Sequence, residues 1–143
     1  MRAGPTGKGS GPAPATTAKE TPRHFVFVYG TLMRGCANHA CLAGQRFIGE
    51  ARTPAGYRLH QLCGYPGMVV GGSDPAGVPG EVWEVSDTCL KQLHRLEGVD
   101  EGLYRYQPIS LQPPHDSLPV FTYLYLRDVH DRPVVAGKWR EER

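Results

Sequence analysis

Short runs of β-branched and aromatic residues, separated by turns rich in glycine and proline, recur along most of the chain. The first run, residues 25–29, is nearly continuous in apolar character and is closed by Gly30, which is typical of a buried strand. Turn signals such as residues 53–56 and 71–77 separate the later runs. The pattern predicts seven strands, over residues 25–29, 46–50, 57–62, 68–70, 80–85, 104–111 and 120–126.

Two segments carry a helical pattern instead. A short, weak one covers residues 36–42, and a stronger one covers residues 87–97. The stronger segment follows Ser86 as an N-cap, places Asp87 near the positive end of the helix dipole and stops at Gly98. Many short strands with one good helix predict a small α+β domain built on a curved sheet or a barrel.

Glu97 falls on the apolar side of the stronger helix. With Leu90 placed at 0° and about 100° per residue, Leu93 lies near about 300° and Glu97 near about 340°. A carboxyl group buried among leucines must be hydrogen-bonded or have a raised pKa, which is how a general base is tuned. The alternative is that the last helical turn frays and lets Glu97 reach solvent.

Composition divides the 143 residues into one domain and two tails. Residues 1–23 lack aromatic and branched aliphatic side chains, so they are expected to form a disordered tail. The domain is expected over residues 24–130, and residues 131–143 are predicted to be a polar C-terminal tail.

Charge and hydropathy exclude several classes of partner. A formal net charge of +2 does not provide the basic stripe that nucleic-acid binding requires. The chain has no apolar run near the roughly 18–20 residues of a membrane span, and Met1 to Lys19 contain no apolar core of a secretory signal. We therefore expect no nucleic acid and no membrane as partners, and a cytoplasmic protein with reduced cysteines.

Common catalytic and metal-binding signatures are missing from the sequence. It has no G-x-S-x-G elbow, and its four cysteines lack the C-x2-4-C spacing of zinc sites, so no metal is expected. Histidines such as His60 and His94 lack ligand spacing and are expected at the surface or at sheet edges. Cys36 and His39 would be neighbours on a helix, but no nucleophile signature flanks them.

The tetrapeptide Tyr29-Gly30-Thr31-Leu32 leaves the first predicted strand and turns toward a helix. Successive backbone N–H groups in such a turn form a nest that binds an anion or an oxyanion. Taken alone, the same four residues are equally compatible with a plain β-turn. On the last strand, period-2 alternation places Tyr123 on one face with Phe121 and Tyr125.

Several of these segments form one pattern in chain order. The run 27–35 is followed by Asn38-His39, Tyr65-Pro66-Gly67, Val78-Pro79-Gly80-Glu81-Val82, Leu93-His94-Arg95-Leu96-Glu97-Gly98, Leu103-Tyr104-Arg105 and Tyr123-Leu124-Tyr125. Over about residues 25–126 this order closely resembles the γ-glutamylcyclotransferase superfamily, in its γ-glutamylamine cyclotransferase and AIG2-like branch. Two positions depart from the family's usual pattern: His94 stands in place of an Asp, and Tyr106 in place of an Arg.

The resemblance implies a small mixed β-barrel with flanking short helices. It also implies release of an amine from a γ-glutamyl amide, with the glutamyl part leaving as 5-oxoproline and with no cofactor. Glu97 would be the general base and then the general acid. The substrate-binding residues would be Tyr29, Gly30, Thr31, Leu32, Tyr104 and Tyr123, although core packing explains Tyr104 equally well.

The sequence is compatible with three functions. The first is a cyclotransferase acting on a small or carrier-bound γ-glutamyl amide. The second is the same chemistry used late in a biosynthetic pathway, to remove a γ-glutamyl group that protects an amine. The third is a binding module that has kept the pocket without turnover.

Overall fold

The computed structural model describes residues 23–72 and 74–141. In chain order these residues form β1 (Arg23–Val28), a short 3₁₀ helix (His39–Leu42), β2 (Arg46–Arg52), β3 (Tyr57–Gln61), β4 (Pro66–Val70), β5 (Pro79–Ser86), α1 (Asp87–Leu96), β6 (Tyr104–Ile109), β7 (Val120–Tyr125) and β8 (Val134–Val135). The seven predicted strands are confirmed as β1 to β7, and both predicted helical segments contain a helix. Neither helix within the described ranges has the length and apolar run needed to cross a bilayer.

The strands pair in two sheets. The larger sheet has the order β2-β5-β1-β7-β6, and the smaller has the order β4-β3-β8. The central strand, β1, runs antiparallel to β5 and parallel to β7. The predicted α+β class is confirmed, whereas the closed barrel stays a prediction, since the described strands form two separately hydrogen-bonded sheets.

The core lies around β1, whose last three residues, Val26 to Val28, are all buried. Helix α1 covers part of this sheet with the apolar side chains of Cys89, Leu90 and Leu93. The predicted N-cap is confirmed, because the Ser86 hydroxyl accepts a hydrogen bond from the Cys89 amide at 3.1 Å. The helix therefore starts at a fixed point on the sheet, and its last turn is aimed back toward the end of β1.

Two buried tyrosine hydroxyls join the smaller sheet to the larger one. Tyr29, just after β1, donates to the Tyr123 carbonyl at 2.6 Å and accepts from the Met68 amide at 3.2 Å. Tyr104, on β6, donates to the Pro66 carbonyl at 2.8 Å. Because both hydroxyls bond to β4, they fix how closely that strand approaches the larger sheet.

The C-terminal segment belongs to the fold, so the prediction of a polar tail from residue 131 is wrong as far as residue 141. Strand β8 pairs with β3, and Trp139 is only 2% exposed, with its indole N–H donating to Gln61 Oε1 at 2.8 Å. Glu141 reaches the turn after β1, where its carboxylate accepts from the Ala37 amide at 2.6 Å. The buried Trp139 ring therefore packs this otherwise polar segment against the rest of the fold. The predicted tail of residues 1–23 lies outside the described residues, apart from Arg23, which begins β1.

We predict that Trp139→Ala lowers the free energy of unfolding by about 3–5 kcal/mol, because it removes a buried ring and leaves a cavity. Urea denaturation of the purified protein measures the change. Lys138→Ala is the matched control at the neighbouring exposed position, with an expected change within about 0.5 kcal/mol. Equal stability of the two variants would contradict the assignment of Trp139 to the core.

Candidate active site

A pocket of about 360 Å³ opens between the two sheets at the end of β1. All seven residues predicted for the site line it: Tyr29, Gly30, Thr31, Leu32, Glu97, Tyr104 and Tyr123. They come from four places in the chain, namely the turn after β1, the end of α1, β6 and β7. The structure thus brings the whole predicted set together around one space.

Glu97 is the C-cap residue of α1, and the helix end around it is closed. Gly98, at φ +65°, donates from its amide to Arg95 O at 3.2 Å, and the Val99 amide donates to His94 O at 3.1 Å. These two bonds form a Schellman motif, which requires a left-handed residue directly after the C-cap. The alternative of a frayed last turn is therefore wrong, and the Glu97 side chain is held at the pocket wall.

Burial raises the pKa of Glu97 from its ordinary value to about 7. Near neutral pH this side chain populates both the carboxylate and the carboxylic acid, so it can take a proton and give it back. Burial also raises the pKa of Tyr29, Tyr104 and Tyr123, and the nearby Glu97 carboxylate raises them further. The three phenols keep their protons and act as neutral hydroxyls around one titratable carboxyl group.

The carbonyl groups of the turn after β1 accept hydrogen bonds from residues that follow closely in the chain. The carbonyl oxygens of residues 30, 31 and 32 accept hydrogen bonds from Met33 N at 3.0 Å, Asn38 N at 2.8 Å and His39 Nδ1 at 3.0 Å, respectively. Asn38 also donates from its side chain to Thr31 Oγ1 at 3.0 Å. With the carbonyls engaged, the amide N–H groups of residues 30 to 32 are the backbone groups suited to meet an anionic ligand.

Gly30 is required by close packing rather than by an unusual backbone angle. A Cβ at this position would lie 2.7 Å from both Cγ and Cδ of Pro66. The φ of Gly30 lies outside the left-handed region, so no backbone strain is involved. The absence of a side chain at Gly30 lets Pro66 of β4 close the pocket directly against the turn.

A buried carboxylate, Glu81 on β5, holds the far side of this turn. It accepts from the Arg34 amide at 3.2 Å, from Arg34 Nε at 3.0 Å and from Trp83 Nε1 at 3.0 Å. Burial alone would raise the pKa of Glu81, but the hydrogen bonds from Trp83 and Arg34 outweigh it and lower the pKa. The Arg34 guanidinium also lies 4.0 Å over the Phe47 ring, so the end of the turn is fixed on two sides.

Some residues around the pocket were not among those predicted for the site. Tyr65 and Pro66 line the pocket, and Asn38 both lines it and orients Thr31. Glu81 could have been identified by period-2 alternation, since it shares a strand face with Trp83. His60 and His94 correct the expectation of surface histidines, because His60 is 5% exposed and His94 is half-buried.

A metal site would need several His, Cys, Asp or Glu side chains close together. Across residues 23–72 and 74–141, no group of three or more His, Cys, Asp or Glu side chains is placed to hold a metal ion. The pocket instead combines one titratable carboxyl group, neutral hydroxyls and a backbone turn. Such a set is suited to moving a proton and to binding a small polar ligand through hydrogen bonds.

The sequence and the fold both match known proteins. Residues 26–141 match the family profile described as "Gamma-glutamyl cyclotransferase, AIG2-like". A Vibrio cholerae protein named "Putative gamma-glutamylcyclotransferase" is 33% identical over 117 residues, covering 82% of this chain and 96% of that protein. The "Gamma-L-glutamyl-butirosin B gamma-glutamyl cyclotransferase" of Niallia circulans is 30% identical over 108 residues, covering 72% of this chain and 67% of that protein. The crystal structure of an AIG2-like protein from Mus musculus superposes with a TM-score of 0.63 at 26% identity, covering 71% of this chain and 76% of that one.

The raised pKa of Glu97 predicts a pH-dependent loss of stability. Because the folded protein binds the proton more tightly than the unfolded chain, stability falls as the pH rises from about 4.5 to about 7. Glu97→Gln removes this penalty. We expect the variant to match the parent near pH 4 and to exceed it by up to about 3 kcal/mol at pH 8.

Urea denaturation at several pH values tests this expectation. Glu101→Gln, at an exposed position a few residues away, changes the same charge at the surface and is the control, with no gain expected at pH 8. A Glu97→Gln variant that is equally stable or less stable than the parent at pH 8 would show that the carboxyl group is solvated or paired.

Proposed function

The chain belongs to the AIG2-like γ-glutamyl cyclotransferase family, and from this premise we propose that it releases an amine from a γ-glutamyl amide and forms 5-oxoproline. The observation that carries the proposal is the half-buried Glu97 carboxyl group, with a pKa near 7, on the wall of the pocket formed by the Tyr29–Leu32 turn. A proton donor and acceptor at that place is what an intramolecular aminolysis requires.

The reaction makes one bond and breaks one. The substrate's α-amine nitrogen attacks its own γ-carbonyl carbon and closes a five-membered ring. The tetrahedral intermediate then collapses, the bond to the amide nitrogen breaks, and the free amine leaves with 5-oxoproline as the other product. Because the nucleophile and the carbonyl belong to one molecule, a pocket that folds the substrate correctly supplies much of the rate acceleration.

Glu97 carries both proton transfers in this proposal. Its carboxylate takes a proton from the α-amine during attack, and the resulting carboxylic acid returns that proton to the departing nitrogen. A group that titrates near pH 7 suits both halves of this cycle. The amide N–H groups of Gly30, Thr31 and Leu32 hold the glutamyl head, while Tyr29, Tyr104 and Tyr123 shape the pocket.

The amine side of the substrate is the less specified part. Tyr65, Leu96 and Leu103 line that pocket alongside the turn and offer apolar and aromatic surface. A volume of about 360 Å³ suits a small-molecule γ-glutamyl amide. The likeness to the butirosin relative favours a second candidate, the removal of a γ-glutamyl protecting group from a biosynthetic intermediate, either free or carrier-bound.

A panel of γ-glutamyl amides separates these candidates. Release of 5-oxoproline from simple γ-glutamyl amines supports the general activity. Release only from γ-L-glutamyl-butirosin B or from a carrier-bound amide supports the biosynthetic role. Binding of the amides without any 5-oxoproline would identify a binding module and would refute the catalytic proposal.

We predict that Glu97→Gln lowers turnover by at least about 10²-fold, since glutamine keeps the size of the side chain but cannot accept a proton. In the parent, kcat/KM is expected to rise with pH, with a midpoint near 7, because the carboxylate is the active form. Release of 5-oxoproline from pH 5 to 9, followed by chromatography, measures both effects. Glu101→Gln is again the control, and near-normal turnover in Glu97→Gln would rule out Glu97 as the proton carrier.

We predict that Gly30→Val abolishes 5-oxoproline release for every γ-glutamyl amide, because the added side chain collides with Pro66 and displaces the turn. Gly30→Ala should lose less activity and should recover part of it when Pro66→Ala makes room. If a Gly30 variant lost activity on one amide and kept it on another, the turn would recognise the leaving amine rather than the glutamyl head.

A further inference from the structure

His94 lies one turn before Glu97 on α1, and its imidazole contacts Tyr123, a residue of the pocket wall. Its Nδ1 is 2.9 Å from the hydroxyl of Tyr123. Tyr123 lines the pocket together with Glu97, whereas His94 itself does not. The His94 side chain is therefore linked to the pocket through the Tyr123 hydroxyl.

Aromatic rings hold the imidazole in place. The His94 ring meets Tyr106 edge-on at 4.7 Å and Tyr123 edge-on at 5.7 Å between centroids. Tyr106 in turn stacks on Phe121 at 4.8 Å. The Tyr106 hydroxyl is buried without a hydrogen-bond partner among the described residues, so of these two phenols it is Tyr123 that bonds to His94.

The two groups share a hydrogen bond whose direction follows from their chemistry. Burial lowers the pKa of His94, with Asp100 opposing and His24 adding to the shift, so the imidazole is neutral near pH 7. A neutral imidazole nitrogen is a stronger base than a phenol oxygen, and the phenol is the better proton donor. The favoured arrangement therefore has the Tyr123 O–H donate to an unprotonated Nδ1.

A phenol carries one proton, so donation to His94 leaves only lone pairs on the Tyr123 oxygen for any other partner. We propose that His94 is a positioning residue that turns the Tyr123 hydroxyl into a hydrogen-bond acceptor beside Glu97. Two acceptors on one wall suit the α-amine of a glutamyl ligand, which offers N–H donors. This inference rests on the proposed function for its ligand, but the bond between His94 and Tyr123 does not.

A double-mutant cycle tests the coupling. His94→Leu keeps an apolar side chain of similar reach but removes the partner of Tyr123, and we expect kcat/KM for a γ-glutamyl amide to fall about tenfold. His94→Asn places an amide group near the position of Nδ1 and should stay within about threefold of the parent. In a Tyr123→Phe background, His94→Leu should cause no further loss. Additive losses, or equal losses in His94→Asn and His94→Leu, would overturn the proposal.

Nitrogen-15 NMR of labelled imidazoles tests the bond without any turnover. In the parent protein near pH 7, His94 Nδ1 is expected to show the shift of an unprotonated nitrogen, and that shift should move in Tyr123→Phe. Tyr106→Phe is the matched control, since it removes a neighbouring phenol hydroxyl that has no hydrogen-bond partner among the described residues, and the shift should stay unchanged. A protonated Nδ1 in the parent, or an unchanged shift in Tyr123→Phe, would refute the inference. Failure to release 5-oxoproline from any amide would instead refute the proposed function. The NMR measurement would still test the bond between His94 and Tyr123, because it requires no turnover.

Discussion

The pocket depends on two phenol hydroxyls that fix the smaller sheet against the larger one. Tyr29 and Tyr104 both form hydrogen bonds to strand β4. Tyr29 directly follows β1 and Tyr104 lies on β6, and both strands belong to the larger sheet. A hydrogen bond between buried groups has a narrow range of length and direction. These two bonds therefore fix the distance between the sheets more tightly than side-chain packing alone would. The same two residues form part of the pocket wall, which ties the shape of the site to the assembly of the fold.

Two carboxyl groups, one buried and one half-buried, have different roles in this structure. Glu81 is surrounded by donors from Arg34 and Trp83, and it stays ionised as a structural anchor. The described residues offer Glu97 no comparable donors, so its burial leaves the carboxyl group divided between charged and neutral forms near pH 7. Glu81 stabilises the end of the turn after β1, and that turn lines the same pocket as Glu97. A fold that satisfies one carboxylate fully can tolerate the energetic penalty of leaving another reactive.

Periodicity and turn residues predicted strands β1 to β7 and helix α1, because each of these elements presents one face to the core. Helical geometry predicted the orientation of Glu97, and the turn pattern singled out Tyr29 to Leu32 as a possible nest. The resemblance to a family was needed to assign substrate-binding roles to these residues and to Tyr104 and Tyr123. Strand β8 and Trp139 were missed, since two valines and one ring in a polar stretch give no periodic signal. Pro66 packs against Gly30, and His94 forms a hydrogen bond with Tyr123. In each pair the two residues are far apart in the sequence, so local sequence patterns cannot predict the contact.

The contact between Glu141 and the Ala37 amide joins residues 104 positions apart, and Ala37 lines the pocket. During synthesis, the turn after β1 leaves the ribosome long before the segment that ties it down. The pocket rim is therefore completed only when residues 139 to 141 emerge, after all the described strands. A nascent chain halted before that point would hold most of its core strands while the entrance to its ligand site stayed unfinished.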